Sequence, residues 1–541
     1  MGWRQTAISF LGNTSKLATN LLTRLDKLID SQQDHLIRGG LKGIEKESLR
    51  ISGNGMIAQT PHPAALGAAL THPHITTDYS EALLEFITPP FAESRETLRF
   101  MEDIHRFVYA NLTDELLLAA SMPCGIDGDE SIPIAEYGSS NIGKMKHVYR
   151  HGLWHRYGRA MQSIAGIHFN YSVPARLWPV LQRMERSRLP IQEFIDDAYF
   201  GLIRNFFRQG WIILYLFGAS PAICRNFFKG REQLFAGFDD FVAHTLYHPY
   251  ATSLRMSDIG YKSVKQASLK IDYNSLSGYV ASLSRAIETP YPEYQKIGVK
   301  VNGEYRQLSS NILQIENEFY STIRPKQIAK SGEKPTLALK RRGVHYVEIR
   351  LLDLDLFAAV GMQEQTALFL EAFLLTCLLQ ESPPSDDREW SVNNDNQLAV
   401  AHQGRKPGLQ LQRGEQSISL QDWALEILDL MQPVCELLDQ DSDDRPYGRA
   451  LQRQRSLVKD PELTPSARIL AGMRQTGMPF APFAMKVSEQ HQQWFQGRRL
   501  EDDVAALYRR LAEQSHARQR EVEARDDLGF DEFLERYFAQ K

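Results

Sequence analysis

The 541-residue sequence predicts an α+β protein, on three observations. From Leu41 to about Gln380, short stretches of alternating side chains interleave with helical patterns. Ser382-Pro383-Pro384-Ser385-Asp386-Asp387 then reads as a linker. Beyond it the pattern is mostly helical and rich in Gln, Arg, Glu and Asp. The chain thus divides into an N-terminal helical extension (1–36), a core (37–385) and a helical C-terminal region (386–541) packed on the core.

The elements follow in order. Leu17, Leu21, Leu22, Leu25, Leu28 and Ile29 recur at helical spacing and predict an amphipathic helix ended by Gly39-Gly40. Residues 41–51 predict a strand. Its alternation puts Glu45 and Glu47 on one face with Leu41, Leu49 and Ile51. Lys42, Lys46, Ser48 and Arg50 take the other face, toward water. Two carboxylates on the less polar face need a partner, because burying an unpaired charge is costly, and a bound cation would serve. Salt bridges or an exposed edge strand would also account for them. Gly53-Asn54-Gly55 predicts a turn. Residues 75–89 add Asp78, Glu81 and Glu85.

Residues 164–173 predict a second strand, with Ala165, Ile167, Phe169, Tyr171 and Val173 on its packed face. Gly166, His168, Asn170 and Ser172 take the open face, where a His and an Asn suit a ligand or metal. Residues 344–353 predict a third strand carrying Glu348 and Arg350 side by side. They either pair with each other or divide work on a nucleotide, the Glu on a metal ion and the Arg on a phosphate. Pooled, Glu45, Glu47, Asp78, Glu85 and Glu348, with His168, supply hard ligands suited to magnesium or manganese rather than zinc.

Other features exclude functions. A formal net charge of −4 offers no global field for nucleic acid or an anionic membrane. The best apolar run, Trp211 to Ile223, is interrupted by Gly218 and Pro221 and is too short to span a bilayer. The start carries no signal-peptide pattern, and Met1-Gly2 with Thr6 fits only a loose acylation pattern. Cys124, Cys224, Cys377 and Cys435 lack metal or redox spacing, which fits a reducing, cytoplasmic setting. Gly138 to Lys144 has P-loop spacing, but Met145 stands where such a loop places Ser or Thr, and Pro133 to Tyr137 make a poor strand. Asp439 to Asp444 predict a solvated loop. An apolar stripe from Val504 to Phe538 predicts helices packed on their own domain, the alternative being a partner-binding surface.

Taken together, several stretches resemble glutamate–cysteine ligase of the proteobacterial type. They are Gly43 to Arg50, Ile75 to Pro89, Ser121 to Cys124, Tyr137 to Lys144, Arg156 to Tyr171, Leu216 to Pro221, Thr252 to Tyr261, Asn311 to Lys326 and Tyr346 to Asp353. Weaker echoes lie at Gly404 to Gly408 and Leu463 to Arg468, so the likeness spans roughly residues 37–475.

The resemblance implies a glutamine-synthetase-like fold, a curved antiparallel sheet forming a funnel with helices outside, and makes 37–385 the catalytic core. It implies magnesium (or manganese in its place), with Glu45, Glu47, Asp78, Glu85, His168 and Glu348 as its ligands and Arg350 on phosphate. It implies a cysteine pocket of Tyr79, Tyr149, Leu153, Gln162, Arg255 and Tyr261, and Asn170 is expected to touch substrate. Tyr79 stands where close relatives are expected to have Phe, and the first 36 residues exceed the family's usual start. The implied reaction joins glutamate and cysteine with ATP in a cytoplasmic monomer, through a γ-glutamyl phosphate, as the first step of glutathione synthesis. A carboxylate–amine ligase with another acceptor would share the acids and differ in the pocket.

Overall fold

The computed structural model describes residues 16–260 and 269–540, so Tyr261 and the Met1-Gly2 pattern lie outside the described residues. The first helix, Lys16–Asp30, buries Leu21, Leu25 and Leu28. It stops well before Gly39-Gly40. Gln32 adopts a φ of 57°, and the Gln33 amide donates back to the Leu28 carbonyl at 2.8 Å. This left-handed cap closes the last turn.

The centre is a seven-stranded sheet: β1 (Leu41–Ser52), β2 (Ile75–Thr77), β3 (Leu83–Ile87), β4 (Glu115–Leu117), β5 (Ile167–Ser172), β6 (Ile323–Lys326) and β7 (Tyr346–Leu352). The order is β6-β7-β5-β1-β3-β2, with β4 also on β1, and every pairing is antiparallel. Mixed helix and antiparallel sheet is therefore the architecture.

Lys42, Lys46, Ser48 and Arg50 do not face water, as expected, but are buried, while Leu41 at the strand's start is exposed. They lie on the back of the sheet, covered by the helices Ser94–Tyr109 and Glu364–Leu379. Each polar side chain there finds at least one partner. Lys42 Nζ meets Glu371 Oε2 at 2.7 Å, and the Tyr447 hydroxyl donates to the same oxygen. Arg50 pairs with Glu115 at 2.7 Å and donates to the Thr60 and Glu81 carbonyls. Lys46 has neutral partners, Ser48 Oγ and His105 Nε2, each at 2.8 Å, and burial pushes its ammonium down to about 7. The carboxylate partners offset the desolvation of Lys42 and Arg50.

One apolar core runs from Leu21 to Tyr508 and includes the helix Glu364–Leu379, which is apolar all round. The Ser382–Asp387 segment is tied down: Arg204 and Arg208 donate to the Ser382 and Pro383 carbonyls, and Asn274 to Ser385. The acidic stretch is exposed except at its start. Asp439 is buried and accepts the Tyr447 and Gly448 amides. The C-terminal stripe packs on its own chain, with Leu534 and Tyr537 against Met145, Val148, Leu308 and Ile315. A small hairpin, Gln410–Arg413 with Gln416–Ser419, interrupts the helices. The Trp211–Ile223 run is a buried helix, Trp211–Phe217, then a short strand, Ala222–Cys224. Among the described residues, no helix is long and apolar enough to cross a membrane.

Candidate active site

Register, more than sequence, builds the site. On the front of the sheet Glu47 lies opposite Glu85, Glu45 opposite His168, and Glu348 opposite Asn170 and Arg324. The pairing of β5 with β7 shifts between Ile349 and Leu352, which brings Arg350 Nη1 within 3.4 Å of His168 Nδ1. The face lines a pocket of about 510 Å³. Its other walls are the helix Asn141–Tyr157, the segments around Asn317 and Gly332–Pro335, and Tyr537 from the last helix. Phe538 and Lys334 face away into a second cavity of about 600 Å³ that lacks the acid cluster.

One ligand atom each from Glu45, Glu85 and His168 lie within 4.8 Å of one another. Glu45 accepts from His168 Nδ1 at 3.0 Å and from Asn170 Nδ2 at 2.9 Å. Glu47 accepts the Gly166 amide at 2.6 Å. Glu348 holds Arg350 at 2.8 Å and Lys326 at 2.7 Å, with Arg324 at 4.0 Å.

The acids divide into two electrostatic classes. Burial and the Asp78 carboxylate push Glu47 up to about 8, against Arg255 and Arg350. Burial and the neighbouring Glu45, Asp78 and Glu47 raise Glu85 well above the ordinary carboxylate range. Burial works on Glu348 too, but Lys326, Arg350, His168 and Arg324 outweigh it and hold it well below. Burial and Arg350 lower His168, which keeps it neutral. Its Nε2 is buried without a hydrogen-bond partner. Directly opposed carboxylates and an idle imidazole nitrogen fit a divalent cation with oxygen and nitrogen donors. By those donors the site is suited to magnesium or manganese.

Of the residues expected from sequence, Glu45, Glu47, Asp78, Tyr79, Glu85, Tyr149, Leu153, Gln162, His168, Glu348 and Arg350 line this one pocket. Asn170 and Arg255 do not line it. Asn170 spends its amide on Glu45, and Arg255 is buried behind Gly166, donating to the Arg350 carbonyl at 3.1 Å. Tyr261 lies outside the described residues. Tyr79 is buried with an unpartnered hydroxyl, and Gln162 donates to the Tyr320 hydroxyl at 2.7 Å.

Sequence reading missed Lys146, Arg150, Arg324, Lys326, Tyr320 and Tyr537 as pocket residues. Lys146, Tyr149, Arg150 and Leu153 stand at i, i+3, i+4 and i+7, one helix face that the spacing could have revealed. Nothing local points to Tyr537. At the P-loop-like segment, the helix N-terminus that would greet phosphate is taken by carboxylates, with Glu523 accepting the Ser139 amide and Asp526 that of Asn141.

Residues 25–400 match the family model described as glutamate–cysteine ligase. The chain is 48% identical over 525 residues to a glutamate–cysteine ligase of Alcanivorax borkumensis, covering 96% of this chain and 99% of that one. It is 50% identical over 499 residues to that of Pseudomonas paraeruginosa, covering 92% and 94%. Its fold is similar to the crystal structure of a Francisella tularensis glutamate–cysteine ligase in complex with AMP. The TM-score there is 0.87 at 38% identity, covering 93% of this chain and 98% of that one. A bifunctional glutathione synthetase of Pasteurella multocida shares the fold at a TM-score of 0.70 and 24% identity, over 91% of this chain and 58% of that one.

Proposed function

This chain belongs to the glutamate–cysteine ligase family, and we propose that it forms γ-glutamylcysteine through a γ-glutamyl phosphate, as the first step of glutathione synthesis. The observation that carries this reading is one pocket in which a metal-binding acid cluster faces Arg350 and Lys326. The AMP bound to the Francisella relative supports nucleotide use.

In the first step a glutamate side-chain oxygen attacks the terminal phosphorus of ATP. The bond to the bridging oxygen breaks, and ADP leaves with that electron pair. Arg350, Lys326 and Arg324 line the side of the pocket where negative charge builds on the transferring phosphoryl group. Glu348, salt-bridged to Arg350 and Lys326, holds those two cations in place. In the second step the cysteine nitrogen attacks the acyl carbon, phosphate leaves, and the amine loses a proton. Glu45, Glu47, Glu85, His168 and Glu348, with Asp78 nearby, would hold magnesium, which would supply charge neutralisation between the two anions. Tyr79, Tyr149, Leu153 and Gln162 form the wall that suits a small side chain, and Arg255 acts from behind it by bracing Arg350's backbone.

In this reading the sheet's acidic face is the inner wall of a glutamine-synthetase-like funnel. Residues 37–385 carry the chemistry, 386–541 contribute Tyr537 and pack outside, and Lys16–Asp30 is an appended helix. In this reading the enzyme acts as a monomer. Phosphate release from ATP should require magnesium, glutamate and an amine acceptor together, with cysteine preferred. Equal turnover without glutamate would refute the reaction, and equal rates with unrelated amines would refute the acceptor.

A further inference from the structure

The helix Asn141–Tyr157 lines the pocket with one face and carries His147, His151 and His155 on another, each half-buried. His147 and His151 are one turn apart, so their rings stand on the same side. The ring centroids are 4.7 Å apart, and the two Nε2 atoms approach to 3.1 Å. The far nitrogen of His147, Nδ1, lies 2.9 Å from the Ala135 carbonyl. A carbonyl only accepts, so Nδ1 carries the proton and Nε2 presents a lone pair. His151 must then donate its own Nε2 proton across the gap.

We propose that His147 and His151 form a chelating site for a divalent transition-metal ion such as zinc, nickel or copper, separate from the carboxylate cluster in the pocket. Two nitrogens each ~2.0–2.1 Å from zinc at a tetrahedral angle lie about 3.3 Å apart, close to the spacing already present. Ligating histidines are usually held by a backbone carbonyl on their other nitrogen, as His147 is. Imidazole pairs favour these ions over magnesium, which prefers oxygen, so the two sites select different metals. Burial, with His147 and His155 adding to it, pushes His151 down to about 4, so its uncharged ring is the one that binds, and on binding its Nε2 proton moves to Nδ1 by exchange with solvent. Arg306 acts on His155, and Arg159 acts on both His151 and His155. The Arg159 guanidinium stacks on Trp154 at 3.7 Å, donates to the Ile132 carbonyl and pairs with Glu130 at 3.7 Å. The remaining coordination positions would be filled by water.

The test uses the full-length protein in excess magnesium, so that the carboxylates are occupied, and titrates zinc by calorimetry and copper by electron paramagnetic resonance. One ion should bind, with two nitrogen couplings for copper, and the melting temperature should rise with zinc concentration. His147→Gln and His151→Gln should each weaken binding at least ~10-fold while ligase activity in zinc-free buffer stays normal. Glu85→Gln should leave zinc binding unchanged. Equal zinc affinity in wild type and both histidine variants, or none in wild type, would overturn the proposal. Because the readout is binding, its failure is distinct from failure of the ligase reading.

Discussion

Acidifying the medium should weaken magnesium or manganese binding steeply, and the size of the effect follows from Glu47. Burial and Asp78 place this carboxyl at about 8, so at pH 7 it is mostly protonated. Glu85, opposite it in the sheet, is raised well above the ordinary range as well. A cation needs both as carboxylates and must displace their protons. A raised acid is deprotonated only above its shifted value, so affinity falls as pH falls below about 8. One displaced proton costs about 1.4 kcal/mol per pH unit, a tenfold loss, and two would approach a hundredfold. Manganese titration by electron paramagnetic resonance between pH 6 and 8 measures the slope. Calorimetry in buffers of different ionisation enthalpy counts the protons released. Glu47→Gln should reduce the slope by about one proton while weakening binding at the upper end. A flat affinity across this range, or zero proton release, would refute the electrostatic reading of the cluster.

Glu348→Gln and Arg350→Ala should each slow the chemical step at least ~100-fold, about 3 kcal/mol of transition-state stabilisation. Glu348→Gln should also lower the melting temperature, since Lys326 and Arg350 lose a shared carboxylate. Normal turnover in the folded fraction of either variant would reduce the pair to a structural ion pair. Tyr79→Phe removes a buried, unpartnered hydroxyl and leaves the ring, so stability should hold within about 1 kcal/mol and the cysteine KM should stay near normal. A cysteine KM raised about tenfold would show that the hydroxyl itself contacts the acceptor. Lys46→Met should stabilise the fold by about 2 kcal/mol at pH 7, even though Ser48 and His105 each give up a hydrogen bond. The folded-state ammonium titrates near 7 and the unfolded one near its ordinary value, so this advantage should shrink as pH rises toward 10. Equal urea midpoints at both pH values would contradict it.

Alternation along a strand was enough to put Glu45 beside Glu47 and Glu348 beside Arg350, because side-chain period is a local property. The motifs in order were enough to indicate the family. Which face of β1 is buried was not legible. Lys42 looks solvent-facing until Glu371, 329 residues away, is folded against it. A lone cation's burial depends on its neutralising partner, and that partner is a matter of chain topology. Cross-strand register decided the rest, by setting Glu47 against Glu85 and His168 against Glu45 and so turning scattered acids into a strained cluster. Lys146 and Arg150 were present in the helical spacing, whereas Tyr537 reaches the pocket only because the last helix packs on Met145 and Val148. Sequence therefore determined the chemical inventory and its local facing. The tertiary structure decided which groups share a low-dielectric space, since desolvation and charge coupling act across distances in space rather than along the chain.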